Sequence, residues 1–325
     1  MQMGWQLNNF DHITSIRRRA RILTLSNSSR QQDVAQLMRW DAGSGSTDDA
    51  YAALMADPRL APAARALARN MLAAASMNDA LDGIFKDAGR YLAAMWAIHL
   101  HLTGGLTLPR LKQLCVASGF LSPGRARDIL RLLLHLAFVE RQSSAGGRSP
   151  ARYIPTVAFM DAWRSHLQAA LGAARILEPA VDLILDRLEA PEVLETLARI
   201  HSQGLLAAAG GVDQGAAYIR IFLHRHGGNQ IAWTLLTSGE DEAFPPEVAG
   251  PINISELARR FGVSRIHIKR LFDDAEREGL LRWQGKNQVA LEPDARTYVQ
   301  FIYAGQLALL LAAVAATIRE RPELV

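Results

Sequence analysis

Apolar residues recur at a helical interval in the last third of the chain. Ile268, Leu271, Phe272 and Ala275 fall at i, i+3, i+4 and i+7, which gathers them on one face of a helix. Ser264 stands where a capping side chain would start that helix, and Gly279 where a left-handed residue would end it. Just upstream, Asn253 with Glu256 three residues later has the form of a capping box and opens a shorter helix, 254–261, closed by Gly262. Downstream the helical period stops. Residues 280–283 and 288–291 read as two short strands joined by the turn Gln284-Gly285-Lys286-Asn287. The order is helix, tight turn, helix, hairpin.

The same plan occurs earlier in the chain. Thr107 caps a helix with Pro109 in its first turn, Leu114 and Cys115 take the places of Leu257 and Ala258, and Gly119 makes the turn. This helix is expected to be three residues longer than its partner. Ser122-Pro123 starts the second helix, whose buried stripe is Ala126, Ile129, Leu130 and Leu133. A longer wing follows, from Arg141 through Gly146-Gly147-Arg148 to Arg152-Tyr153.

Other landmarks repeat in the same order. Leu72-Ala73-Ala74-Ala75 returns as Leu206-Ala207-Ala208-Ala209, Trp96 as Trp233, Thr107 as Asn253, Ser122 as Ser264 and Pro155 as Pro293. The chain therefore reads as a duplication: an extension over 1–46, a first unit over 47–177, an acidic helical junction over 178–189 and a second unit over 190–325. The stretch 239–250, acidic and proline-containing, is an insertion found only in the second copy. Gly43-Ser44-Gly45-Ser46 reads as a flexible break, and Ser46-Thr47-Asp48-Asp49 as the cap of the helix after it.

The run Glu256-Leu257-Ala258-Arg259-Arg260-Phe261-Gly262-Val263-Ser264, with Glu278-Gly279-Leu280-Leu281 after it, resembles the winged helix-turn-helix bacterial transcription regulators of the MarR and GntR groups. The resemblance covers about forty residues of the second copy. It implies a DNA-binding fold in which the small Ala258 lets two helices cross closely and Gly262-Val263 form the turn. The expected fold is mainly α, with two winged helix-turn-helix units in tandem, small hairpin wings and long flanking helices.

Each wing leads into a long apolar helix, expected over 157–177 and 295–318. The second is apolar on all sides from Phe301 to Ile318 apart from Gln306, close to the lower limit for a membrane span. Ala is only weakly lipophilic, and the matching helix carries Asp161, Arg164 and His166, so burial on every side is the favoured reading. Gly305, Ala308 and Ala312 form a smooth strip suited to close helix packing, either between the units or in a homodimer.

Composition narrows the picture further. The chain has 325 residues, 49% hydrophobic and 21% charged, enough for a sizeable core and unlike a disordered or disulfide-stapled chain. Its one cysteine, Cys115, and the lack of a charged-then-apolar leader fit a reducing cytoplasm. The net charge of +4 is an average. Residues 106–155 carry eight basic against two acidic side chains, a net +6, and 252–292 carry eight against six, a net +2, which leaves −4 for the rest. Positive charge is thus concentrated in the two helix-turn-helix segments, as a protein that meets phosphates at two places requires.

The residues expected to contact DNA follow from that distribution. In the second copy they are Ser264, Arg265, His267, Lys269 and Arg270 at the start of the recognition helix, with Arg282 and Lys286 in the wing. The later half of that helix is acidic, with Asp273, Asp274, Glu276 and Glu278, and Asp273 is placed to pair with Arg277. In the first copy the corresponding residues are Arg125, Arg127 and Arg131, with Arg148 and Arg152 in the wing. The basic run Arg17-Arg18-Arg19 and Arg21 is a secondary candidate.

His99 and His101, like His224 and His226, are two apart and so do not share a helix face, which argues against metal ligation. Cys115 occupies a small buried position and reads as an inert core thiol. There is no phosphate-binding glycine loop, HExxH or GxSxG, and neither an enzyme nor a cofactor is expected. The reading is a double-stranded DNA-binding transcriptional regulator, its operator and effector unspecified. The rival is a winged-helix protein-interaction scaffold, since fold alone does not fix function.

Overall fold

The structure is a computed structural model and describes residues 31–40, 47–142, 150–239 and 242–324. It is mainly helical, with two small three-stranded antiparallel sheets. Helix α1 covers 31–37 and runs into a 3-10 turn, Met38–Trp40. There follow α2 (Thr47–Met55), α3 (Leu60–Met77), α4 (Asp79–Phe85) and α5 (Ala88–Leu102). Next come β1 (Leu106–Thr107), α6 (Leu108–Ala117), α7 (Pro123–His135), β2 (Val139–Arg141), β3 (Arg152–Pro155) and α8 (Val157–Ala174).

After a short α9 (Asp182–Leu185) the plan recurs as α10 (Pro191–Ala209), a π-helical turn (Ile219–Leu223) and α11 (Gly228–Thr237). It continues through β4 (Val248–Ala249), α12 (Ile254–Phe261), α13 (Arg265–Arg277), β5 (Leu281–Gln284), β6 (Gln288–Leu291) and α14 (Pro293–Glu320). The sheets have the same construction, β1-β3-β2 and β4-β6-β5. In each, a two-residue strand ahead of the helix pair joins the hairpin behind it, Thr107 opposite Arg152 and Val248 opposite Ala290.

Local chemistry accounts for the helix boundaries. Thr107, Ser122, Asn253 and Ser264 all accept a backbone N–H in the first turn of the helix they precede, a contact usually worth about 1 kcal/mol. The capping box at Asn253 is only half formed: its side chain takes the Glu256 N–H, and among the described residues no bond returns from Glu256. Gly119 and Gly262 turn the chain with φ of +74° and +63°. Helix α6 is ten residues against eight in α12, so the excess is two residues and not three. Helix α8 stops at Ala174, short of the expected 177, because the chain tightens into a turn over 175–177.

The two halves interlock. Within them, α3 lies along α8 and α10 along α14; between them, α3 packs on α11 and α10 on α5. By position in the order of elements, α3 corresponds to α10 and α5 to α11, so the cross-packing is reciprocal. One hydrophobic core runs through both halves. At its centre Phe85 meets Trp233 edge-on at 5.8 Å. Within the insertion, Phe244 is buried against Tyr303 at 4.8 Å, and Arg65 of α3 donates to the Ala243 carbonyl.

Helix α14 is long and apolar enough to cross a membrane, yet 56% of its most apolar window is buried within the protein. It packs on α2, α3, α8 and α10. Burial on every side is not what the structure has. Phe301 is 53% exposed, edge-on to Tyr51, and Gln306 is exposed. Gly305, Ala308 and Ala312 are half-buried, and a side chain at Gly305 would meet open space, so among the described residues no helix closes on that glycine. The basic run at 17–21, the glycine-serine break and the residue Arg148 lie outside the described residues.

Candidate nucleic-acid interface

Helix α13 is held by its apolar stripe. Ile268, Leu271, Phe272 and Ala275 are buried, and Trp283 of β5 closes on Phe272 at 5.4 Å. The opposite face is left to solvent, with Arg265, Lys269 and Arg270 exposed. Lys269 lies 3.5 Å from Asp273, while Arg265 and Arg270 have no ion-pair partner among the described residues. Ile266, 65% exposed between these charges, is an apolar residue that the charge pattern did not single out. In the hairpin Arg282 and Lys286 are exposed, Arg282 loosely paired with Glu292 at 3.4 Å.

The acidic half of α13 is engaged elsewhere. Asp274 binds Arg225 at 2.6 Å and Arg277 at 2.7 Å, and Glu278 binds Arg220 at 2.9 Å. Arg277 thus pairs with Asp274 three residues back and not with Asp273. The hydrogen bond from Arg225 is the chief reason the Asp274 carboxyl is held below its usual pKa. Asp274 and Glu278 are therefore bound to the segment around the π-helical turn, Asp273 faces Lys269, and Arg265 and Arg270 have no ion-pair partner among the described residues.

Helix α7 repeats the arrangement. Ala126, Ile129, Leu130 and Leu133 are buried, and Arg125, Arg127 and Arg131 are exposed. Arg131 sits 3.7 Å from Asp128, whereas Arg127 has no ion-pair partner among the described residues. Arg152 is exposed on β3 and its guanidinium covers Gly105.

The two basic helices meet at one seam. Asp87, buried at the start of α5, accepts the Arg90 N–H and pairs with Arg90 at 3.2 Å and Arg125 at 3.4 Å. Its neighbour Lys86 pairs with Asp82 at 2.7 Å and donates to the Phe261 carbonyl, also at 2.7 Å, immediately before the Gly262 turn. On the other side His267 Nε2 approaches the His226 carbonyl at 2.8 Å, and His224 contacts Phe120 at 5.5 Å. Partial desolvation lowers the pKa of both His224 and His226. The N-terminal ends of α7 and α13 are thus fixed to adjoining segments, 86–87 and 224–226.

Of the expected contact residues, Ser264 is occupied as a cap, His267 is tied to the His226 carbonyl and Arg125 to Asp87, so these three are engaged within the protein. The seam itself was not legible in the sequence. Asp87 before a helix start was the available signal, but its cross-unit role depends on residues far apart in the chain. Cys115 is fully buried, and desolvation pushes its thiol up to about 12. Among the described residues no group of histidine, cysteine and carboxylate side chains is placed to hold a metal. Compared with family models, curated proteins and solved structures, the chain matches none.

Proposed function

We propose that the protein binds double-stranded DNA sequence-specifically as a transcriptional regulator, with two winged helix-turn-helix units in one chain reading it together. The observation that carries this reading is the repeated basic helix. In both halves a helix follows a tight turn, buries an apolar stripe and leaves arginine or lysine exposed on the other face. Both helices are anchored near their starts at one seam, which fixes their positions relative to each other.

Arg127, Arg265, Lys269 and Arg270 are placed to touch base edges or phosphate by entering a major groove N-terminus first. Ile266 adds an apolar tip suited to a thymine methyl. Arg152, Arg282 and Lys286 hold the backbone on either side, which positions the protein without reading sequence. Two unequal heads suit an asymmetric site, and this reading needs no homodimer.

Binding of the full chain to genomic duplex fragments, followed by fluorescence anisotropy at several salt concentrations, tests the proposal. Log affinity should fall linearly with log salt, and R265E with K269E should flatten that slope by about 2, roughly one unit per lost phosphate contact. Absence of duplex binding at low salt, or indifference to these two changes and to R127E, would overturn it and leave the protein-docking alternative.

A further inference from the structure

Helices α7 and α13 correspond residue for residue without a gap. Ser122 and Ser264 each cap the backbone N–H three residues on, and the buried stripes 126, 129, 130, 133 and 268, 271, 272, 275 fall in one register. The residues whose N–H groups are capped, Arg125 and His267, are both engaged within the protein, by Asp87 and by the His226 carbonyl. The outward faces can therefore be compared position by position, and they are unequal. The first two turns of α13 expose Arg265, Ile266, Lys269 and Arg270; the same positions of α7 expose Pro123, Gly124, Arg127 and Asp128.

A recognition helix enters the major groove by its first turns, so side chains there reach the base edges. In α13 they include Arg265 and Arg270, which have no ion-pair partner among the described residues, and Ile266, 65% exposed. Arginine can bind guanine through two hydrogen bonds, and an apolar tip can meet a thymine methyl. In α7 the first turn has a proline and a glycine, neither with a side-chain donor. Where α13 has Arg270, α7 has Asp128, an acid that repels phosphate and lies 3.7 Å from Arg131. We infer that the two heads divide the work: α13 alone reads base sequence, through Arg265, Ile266 and Arg270, while α7 grips phosphate through Arg127 and Arg131 without discriminating among bases. This rests on the DNA-binding reading and narrows it. A bound site then has one block of preferred bases and not two.

Selection of bound duplexes from a random library by the full chain, followed by anisotropy titration of the selected duplex and a scrambled one, tests the division. One block of preference is expected. I266A with R270A should cut the preference for the selected duplex by about fivefold or more. R127A with R131A should weaken both duplexes by the same factor, leave the preference unchanged and flatten the log–log salt slope by about 2. A side chain at Gly124 meets nothing nearer than Ser122 Oγ at 3.9 Å, so the α13 residues can be grafted: P123R with G124I should add a second block. Two blocks in the wild type, a preference lost with R127A and R131A, or a graft that adds no block overturns the division and leaves DNA binding standing. Absence of duplex binding at low salt overturns the DNA reading, and the division with it.

Discussion

Gly262 adopts φ +63°, and the nearest atom to a side chain placed there is Lys86 Nζ at 4.0 Å. The cost of a substitution is thus conformational and not steric. G262A should destabilise the protein by about 1–2 kcal/mol, the usual cost of the left-handed region for an L-residue, measured by urea unfolding; an unchanged midpoint would contradict it. Gly262 and Ser264 were legible because turn and cap chemistry is local. The lysine that fixes that turn was not, because Lys86 reaches Phe261 across 175 residues. A second single-residue effect is acid sensitivity. Burial lowers His166 to about 3 and His201 to about 4 from an ordinary 6.5. A folded-state pKa below the unfolded one means that the unfolded chain gains protons first. The stability held above pH 6.5 is therefore lost as pH falls from 6.5 towards 4. At pH 5 each histidine contributes a loss of about 2 kcal/mol, at 1.36 kcal/mol per pH unit. Melting temperature should drop several degrees between pH 7 and 5, and H201L should reduce that drop; a pH-independent melt would refute the assignment.

At the scale of elements, periodicity worked where a segment was long enough to show it. Helices α12 and α13 and strand β6 fall where they were expected, while β5 is shifted by one residue, to Leu281–Gln284, because Gln284 pairs with Gln288. The strands β1 and β4 were not legible, since two residues carry no period and their pairing is set by β3 and β6. The placement of the segment at 31–40 was equally hidden. It is pinned by Glu178, fully buried, which takes Arg39 at 2.5 Å and the Trp40 indole N–H at 3.1 Å. Removing that carboxylate leaves a buried indole donor unpaired. E178A should cost about 2–3 kcal/mol and speed tryptic cleavage after Arg39. Wild-type stability and cleavage rate in E178A would show that the pin is idle.

At the scale of the molecule, the order of repeated landmarks implied two copies but not how they associate. Two beads on a linker and two interlocked halves have the same sequence pattern, because contacts between copies leave no local period. The structure has the second arrangement. Helix α3 needs α11, α10 needs α5, Phe85 needs Trp233, and Gln230 and Lys86 make their hydrogen bonds across the boundary. A unit cut out at 47–177 would expose the face of α3 that α11 covers, and one cut out at 190–325 the face of α10 that α5 covers. Neither fragment should fold alone, and the intact chain should melt in one transition whose calorimetric and van't Hoff enthalpies agree. Separate melting of the halves, or a fragment with dispersed amide resonances, would mean that the shared core is not what holds the halves together. The two basic helices would then have no fixed relation, because Asp87 reaches Arg125 of α7 and Lys86 reaches the end of α12 only while the halves stay locked.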